Sequence, residues 1–321
     1  MDYEVKRVDA SQIPALKELT RQVWGTVAPT SATLEAKFQT KSFGAEYIGY
    51  VAYPVGAEPK VGGYAVPAAY YGVFPVVANF GGSKVLCAQS GDTMTHPEHR
   101  GKGLFIDLAR KTYATACDEG IQFVFGFPSE SSYPGFSRKL DWTFPYKMVR
   151  FNCLVPTLPV GLLRRKMMRP SLRFGTFGRL VVRRLFDVVR PEGDLWTTFR
   201  DATPGILRDS RYFTYKATDT FFVQSGKTGL VLKYDGDICI GDIFGSPSAE
   251  DMTRIMRRLK LLAAVTGAMR IKSYFSPNSK LERLLEAHGS CSASLPYGFV
   301  NFSSKQDPSL LELAFLDYDT F

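Results

Sequence analysis

A chain of 321 residues suggests about two domains at ~100–200 residues each. With 45% hydrophobic and 22% charged residues it has an ordinary soluble composition, able to bury a core without disulfides or metals. The five cysteines, at 87, 117, 153, 239 and 291, form no CxxC pair. They read as reduced thiols in a cytoplasmic protein, with neither a disulfide framework nor a metal site. The net charge of +9 favours an anionic partner: nucleic acid, a lipid head group or a phosphorylated small molecule.

The N-terminus MDYEVKRVDASQ lacks an apolar h-region, so no signal peptide is expected. Periodicity predicts a helix over Ile13–Trp24 and strands near 45–53 and 61–70. Between Lys60 and Lys84 no residue is charged, but Pro67, Pro75 and five glycines make the stretch strands and turns rather than a membrane span. Strands near 73–80 and 84–95 follow, then a helix from Lys102 to Glu119, a buried strand Ile121–Phe127 and a short helix Ser132–Leu140. A helix between two apolar strands is the βαβ signature of parallel neighbours.

The Pro-rich VPTLPVG at 155–161 reads as a domain boundary. From Arg164 to Arg190 there are nine basic residues and one acid, with apolar positions at helical spacings. Residues 156–190 are therefore expected to form a basic connector between domains 1–155 and 191–321. Beyond it, strands are predicted at Phe221–Val223, Leu230–Tyr234 and Ile238–Phe244. A helix Ala249–Thr266, a strand Arg270–Phe275 and a short helix Ser279–His288 complete a second copy of the same element order. The fold class is α/β (α+β): a mixed, mostly antiparallel sheet with helices on both faces.

One segment carries chemistry. Ala88 to Thr95 runs as a strand into the turn His96-Pro97-Glu98-His99-Arg100-Gly101-Lys102-Gly103, and Leu104-Phe105 open a helix. Glycines at 101 and 103 allow unusual dihedrals, and the unpaired first amides of the helix make an anion site suited to a pyrophosphate. A dinucleotide fingerprint would need a glycine at 106, which is Ile106. Gly226-Lys227-Thr228 lacks the earlier glycine of a P-loop and leads into a strand, so it reads as a hairpin turn.

His96 to Phe105 resembles the acyl-CoA loop of the GCN5-related N-acetyltransferase (GNAT) superfamily. The run Phe127-Pro128-Ser129-Glu130-Ser131 to Leu140-Asp141-Trp142 resembles that family's next segment, with Ser129 in place of the usual asparagine and Asp141 in place of glycine. The resemblance is specific over residues 84–145. It implies a GNAT fold in the N-terminal half and a degenerate GNAT-like second domain, as in tandem bacterial N-acyltransferases. It further implies acyl-CoA, acetyl or longer, as co-substrate. Main-chain groups of Met94 and Thr95 would bond the pantetheine, while Arg100, Gly101, Lys102, Gly103, Leu104 and Phe105 hold the pyrophosphate.

Tyr133 matches the family's acid, or else caps its turn. Asp92 and His96 are candidate bases, the alternatives being a strand-end hydrogen-bonding residue and a local turn partner. Tyr70, Tyr71 and Phe74, with Glu130, are candidate walls of the acceptor pocket, or else core. Such enzymes resemble those that acylate the amino group of nucleotide-linked amino sugars for surface polysaccharides, a small-molecule amine acceptor that suits a basic protein.

The second domain has Glu250 and Asp251 where the loop would be, which repel phosphate. No CoA is expected there, and this domain is expected to form one side of the acceptor cleft. An aminoacyl-tRNA-dependent transferase shares the tandem layout without an intact CoA loop, and a non-catalytic surface-binding protein is the third reading. No nucleic-acid partner is expected, whereas peripheral membrane contact through 164–190 stays open.

Overall fold

The structure, a computed structural model, describes residues 2–25, 31–58, 61, 63–156, 158, 163, 170–197 and 203–321. Two contact units divide the chain: Met1–Pro145 with Pro296–Leu310, and Tyr146–Leu295 with Leu311–Phe321. Each is a mixed, mostly antiparallel sheet with helices packed on it.

In the first unit the strands are β1 (Tyr3–Arg7), β2 (Ile48–Pro54), β3 (Ala69–Phe80), β4 (Ser83–Thr95) and β5 (Phe123–Gly126). The C-terminal part of β13 (Ser290–Asn301) pairs antiparallel with β5 through Gly298↔Gly126 to Asn301↔Phe123. Strands β1 to β4 are antiparallel in sequence order, and β4 and β5 are parallel. Gly81 and Gly82, both at positive φ, close the β3–β4 hairpin, and the Gly82 amide donates to Asn79 Oδ1 at 2.8 Å. Helices α1 (Ile13–Trp24), α2 (Ser31–Phe38), α3 (Leu104–Asp118) and α4 (Tyr133–Lys139) complete the unit. Leu104, Leu108, Thr112 and Ala116 recur every four residues and are buried, which seats α3 on the sheet against Val73 and Trp142.

The strand expected over 61–70 does not form. A single Val61↔Tyr64 bridge precedes β3, which begins only at Ala69, after Pro67 has removed a ladder donor. Strand β1, helix α2 and the long β6 and β13 are elements that the sequence reading lacked.

The second unit begins within β6 (Thr143–Leu154) and contains β7 (Asp187–Val188), β8 (Gly205–Ile206), β9 (Thr220–Ser225), β10 (Thr228–Tyr234), β11 (Ile238–Phe244) and β12 (Arg270–Phe275). Pairing runs β6-β12-β11-β10-β9-β7, with β11 and β12 parallel and the other pairs antiparallel. Its helices are α5 (Pro170–Leu185), α6 (Asp194–Thr197), α7 (Ser210–Tyr215), α8 (Ala249–Thr266) and α9 (Lys280–Leu285). The expected repeat is thus present in element order: each unit has one parallel strand pair, joined by its longest helix.

The expected separate connector is not observed. Residues 157, 159–162 and 164–169 of that stretch lie outside the described residues. Within the rest, α5 packs against α8, and Val182 and Phe186 are buried in the core of the second unit. Their spacing of four gives α5 an apolar stripe that needs burial, while Arg179, Arg183 and Arg184 occupy the exposed face. Nor does the unit boundary fall at residue 155. It falls at Pro145/Tyr146, inside β6, because β6 pairs with β12 from Val149 to Leu154. No helix among the described residues is long and apolar enough to cross a membrane.

The C-terminal segment is held in the second unit by a buried ion triad. Arg208 donates to Asp317 Oδ1 and Oδ2 at 2.6 and 2.9 Å and to Asp242 Oδ2 at 3.0 Å, all three side chains being at most 1% exposed. Replacing Arg208 with Met would leave two buried carboxylates without their cation. The loss should be at least the ~3–5 kcal/mol typical of breaking one buried pair. Urea unfolding of Arg208→Met measures it, and a loss below about 1 kcal/mol would mean the triad does not hold the segment.

Candidate active site

The site begins with a defect in β4. Tyr70 pairs with Met94 and Gly72 with Gly91, so Asp92 and Thr93 together oppose Tyr71. This is a β-bulge, and Asp92 takes the left-handed conformation it requires, φ 51°. The parallel ladder to β5 runs over Ala88↔Val124 and Gln89↔Phe125, and β4 continues six residues beyond it to Thr95. At the end of β5 a side chain would be tight: a Cβ on Gly126 would stand 3.2 Å from the Ser90 carbonyl oxygen and 3.3 Å from the Trp142 ring.

After β4 comes a single 3-10 turn, Pro97–His99, capped by His96. Arg100 is extended, while Gly101 and Gly103 have φ of 77° and 80°. A Cβ at Gly101 would meet nothing within 4 Å, and at Gly103 only Asp107 Oδ2 at 3.7 Å. Backbone conformation rather than crowding therefore demands glycine at both. Gly103 caps α3, and its carbonyl accepts from the Ile106 and Asp107 amides at 3.0 and 3.2 Å, so the amides of Leu104 and Phe105 precede the first intrahelical donors. The turn thus sets open space, helix amides and the helix dipole together, the arrangement that favours an anion.

Side chains around the turn serve different ends. Leu104 is buried in the core, and Phe105 packs on Tyr71, Phe136 and Gly135, so neither points its side chain at a ligand. Met94 is buried as well, leaving only its main chain for the role expected of it. Arg100 Nε reaches back to the Thr95 carbonyl at 3.4 Å, and the Lys102 ammonium sits 5.9 Å from the Tyr3 ring centroid. An open groove of about 930 Å³ on the β1 side of α3 is lined by Tyr3, Val5, Lys102, Leu104 and Lys111 among others. This groove flanks the turn and is separate from the notch between β4 and β5.

His96, Glu98 and His99 each bring one ligand atom to within 4.8 Å of the others, a cluster able to hold a metal that the sequence reading did not expect. Both imidazoles make bonds within the protein. His96 Nδ1 accepts from the Glu98 amide at 3.3 Å, and His99 Nδ1 pairs with the Tyr3 hydroxyl at 2.8 Å. Burial, with Lys102 and His96 nearby, lowers the His99 pKa below 6.5, so its ring is neutral at neutral pH.

The predicted acceptor wall divides between two faces. Tyr71 has its hydroxyl 3.0 Å from Ser90 Oγ and 2.7 Å from the Tyr113 hydroxyl, under α3. Burial pushes its pKa well above the usual tyrosine value, helped by Tyr113, so it stays protonated. Strand alternation puts Tyr70 and Phe74 on the opposite face, with Phe38 and Met94. Tyr71 is therefore core. Tyr133 is 39% exposed at the start of α4 with its ring centroid 4.6 Å from that of Phe144, and Glu130 is exposed in the preceding turn.

Two residues went unnoticed in the sequence. Lys37, from α2, donates to both Asp92 oxygens at 2.8 and 2.7 Å and lies 5.9 Å from the Phe74 ring centroid. Gln89 stands directly opposite Phe74 and so shares its face; it is 4% exposed, and its Nε2 has no hydrogen-bond partner among the described residues. A buried amide donor in that state is costly in a finished core and calls for a water or a ligand as its partner. A hydrophobic, aromatic face thus carries the Lys37–Asp92 ion pair and the Gln89 amide beside the β4 bulge.

A family model described as acetyltransferase (GNAT) domain matches residues 4–144. The chain carries a GNAT acetyltransferase domain and is an acyltransferase. The fold is similar to that of a GCN5-related N-acetyltransferase from Kribbella flavida, at TM-score 0.58 and 13% identity, covering 93% of this chain and 70% of that one. A second, from Anabaena variabilis, gives TM-score 0.59 and 12% identity, with 93% and 72% covered. No curated protein matches the sequence. GNAT domains use acyl-CoA, and the open glycine turn at the head of α3 fits its pyrophosphate.

The second unit has the same framework without the turn. Its β11 carries a bulge at Gly241, between Val231↔Asp242 and Leu232↔Ile240. Only residues 245–248 join β11 to α8, against 96–103 in the first unit. Gly245 is closed in: a Cβ would meet the Lys227 carbonyl oxygen at 2.4 Å. Ser248 and Asp251 form a capping box, in which Ser248 Oγ accepts from the Asp251 amide and the Asp251 carboxylate accepts from the Ser248 amide and stands at the head of α8.

Removing Lys37 alone should strand a buried carboxylate. Lys37→Met is expected to lower stability by about 3–5 kcal/mol, and a Lys37→Met/Asp92→Asn double variant, which removes the charge at a position whose left-handed φ asparagine tolerates, to recover much of that loss. Urea unfolding of the three proteins tests this, and a single variant within about 1 kcal/mol of wild type would contradict it.

Proposed function

We propose that the protein transfers an acyl group from acyl-CoA to the primary amine of an anionic small molecule, with a nucleotide-linked amino sugar as the acceptor class. The observation that carries this reading is the open glycine turn at 101–103 ahead of α3, beside a strand that outruns its parallel neighbour. The cofactor's pyrophosphate would rest on the amides of residues 101–105. Main-chain groups of Met94 and Thr95 would bond the pantetheine, and Arg100 and Lys102 would add charge. The closed junction at Gly245 supports one CoA site per chain. Surface charge of +9 overall supports an anionic acceptor.

The amine nitrogen attacks the thioester carbon, the carbon–sulfur bond breaks, and the amide forms with release of CoA. Tyr133 is the acid that protonates the leaving thiolate. Neither expected base suits its role in this geometry. Both oxygens of Asp92 are engaged by Lys37. His96 Nδ1 already accepts from the Glu98 amide at 3.3 Å. The acceptor therefore enters as the free amine. Gln89 Nε2 donates to an acceptor oxygen and holds the amine beside the bulge.

Release of CoA is assayed with a panel of UDP-linked amino sugars and their neutral parent sugars, across pH. The nucleotide-linked amines should react best, and Tyr133→Phe should lower kcat by roughly 10²–10⁴-fold. The midpoint of kcat/KM against pH should follow the amine: rates are low where it is protonated, and an acceptor with a higher pKa shifts the rise to higher pH. A midpoint that stays fixed across acceptors would assign the proton to a base on the enzyme, and no turnover with any anionic amine would remove this acceptor class.

A further inference from the structure

Eleven large apolar side chains are exposed among the described residues, and eight of them belong to the second unit. Three lie at the C-terminal end of α8 and on the segments bonded to it: Leu158, Leu261 and Met269. Leu154, 76% exposed, lies outside this group: it alternates with Cys153 and Val155, which are buried in the core with α8, and so projects from the opposite face of β6. Met269 is 43% exposed, and its carbonyl accepts from the Val155 amide at 2.8 Å. Leu158 is 45% exposed, and its amide donates to the Ala264 carbonyl at 3.3 Å, one helical turn on from Leu261, itself 47% exposed. Scattered exposed leucines need no explanation, but a contiguous group does.

Charge surrounds these side chains. Arg257 and Lys260 are exposed on α8, one turn before and directly beside Leu261. The acids of that helix lie at its other end, where Glu250 and Asp251 pair with Arg254 at 3.5 and 3.4 Å. Helix α5 packs beside α8, with the Arg258 guanidinium 5.9 Å from the Phe186 ring centroid, and its outer face adds Leu180, Arg183 and Arg184, all exposed.

We infer that Leu158, Leu261 and Met269, with Arg257 and Lys260 on α8 and the arginines of the neighbouring α5, form a docking surface for an anionic lipid bilayer. Projecting aliphatic side chains among basic residues suit the boundary between head groups and acyl chains. Nucleic acid would use the arginines and leave the leucines in water. A second copy related by a two-fold axis would set Arg257 and Lys260 against their own equivalents, with like charges opposed. The inference is independent of the acceptor proposed above.

The full-length protein is sedimented with vesicles of phosphatidylcholine alone and of phosphatidylcholine mixed with phosphatidylglycerol, beside a Leu158→Glu/Leu261→Glu variant. Both positions are exposed, so thermal unfolding should match wild type. Wild type should sediment with the mixed vesicles and not with the neutral ones, and the variant should bind at least roughly tenfold more weakly. Equal binding by variant and wild type, or no binding to anionic vesicles, would overturn the inference. So would concentration-dependent self-association by light scattering that the variant abolishes, since that assigns the surface to a second copy. An unfolded variant would be replaced by Met269→Glu, read in the same way.

Discussion

A carboxylate sits beside the β-bulge of each unit, and the neutralisation of that charge shapes what surrounds it. Asp92, in a left-handed conformation beside Thr93, can stay buried because Lys37 reaches it from α2. Asp242, next to the β11 bulge, can stay buried because Arg208 does the same. The bulge redirects the last residues of its strand, and beyond it the chain must turn into the helix that links the parallel pair. How that turn is made separates the two units. Eight residues with two left-handed glycines leave open space in the first; four residues with a filled glycine and a capping box leave none in the second.

The contrast extends to the bulges themselves. In the second unit the ring of Phe321 lies where a Cβ on Gly241 would stand, 2.4 Å away, and the C-terminal segment is tied down by Arg208. In the first unit the corresponding face carries Gln89, Lys37 and Asp92 among aromatic rings, polar groups set in an apolar wall. Gly241 and Gly245 are crowded in the second unit, whereas Gly101 and Gly103 stand open in the first. This difference is what a single reactive centre on a duplicated fold would look like.

Much of the framework was legible in the sequence. Helices Ile13–Trp24 and Ala249–Thr266 and strands Ile238–Phe244 and Arg270–Phe275 have the limits expected, because strong periodicity ends there at glycine, proline or capping residues. The glycine turn was readable because only φ above zero explains two glycines so close to a helix start. Strand β6 escaped, since Pro145, Lys147 and Arg150 interrupt its apolar alternation. Strand β13 opens with the polar run Ser290 to Ser294, and α2 is only eight residues long. Around the site, the partnership of Lys37 with Asp92 spans 55 positions, and no local motif announces it. Tyr71 looked like Tyr70 in composition, and alternation alone sends it under α3.

Binding of acyl-CoA to the turn is the most direct test. Acetyl-CoA and longer acyl-CoAs are titrated against the full chain and against an Arg100→Ala/Gly103→Glu variant, following both heat and thermal stability. Saturation at ~100 times the dissociation constant should stabilise the wild type by roughly 2.7 kcal/mol. The variant should lose the shift, because a side chain at 103 cannot adopt φ 80° without strain and its carboxylate repels the phosphates. Wild type that binds none of the acyl-CoAs, or a variant that binds them as tightly, would contradict the cofactor site described here.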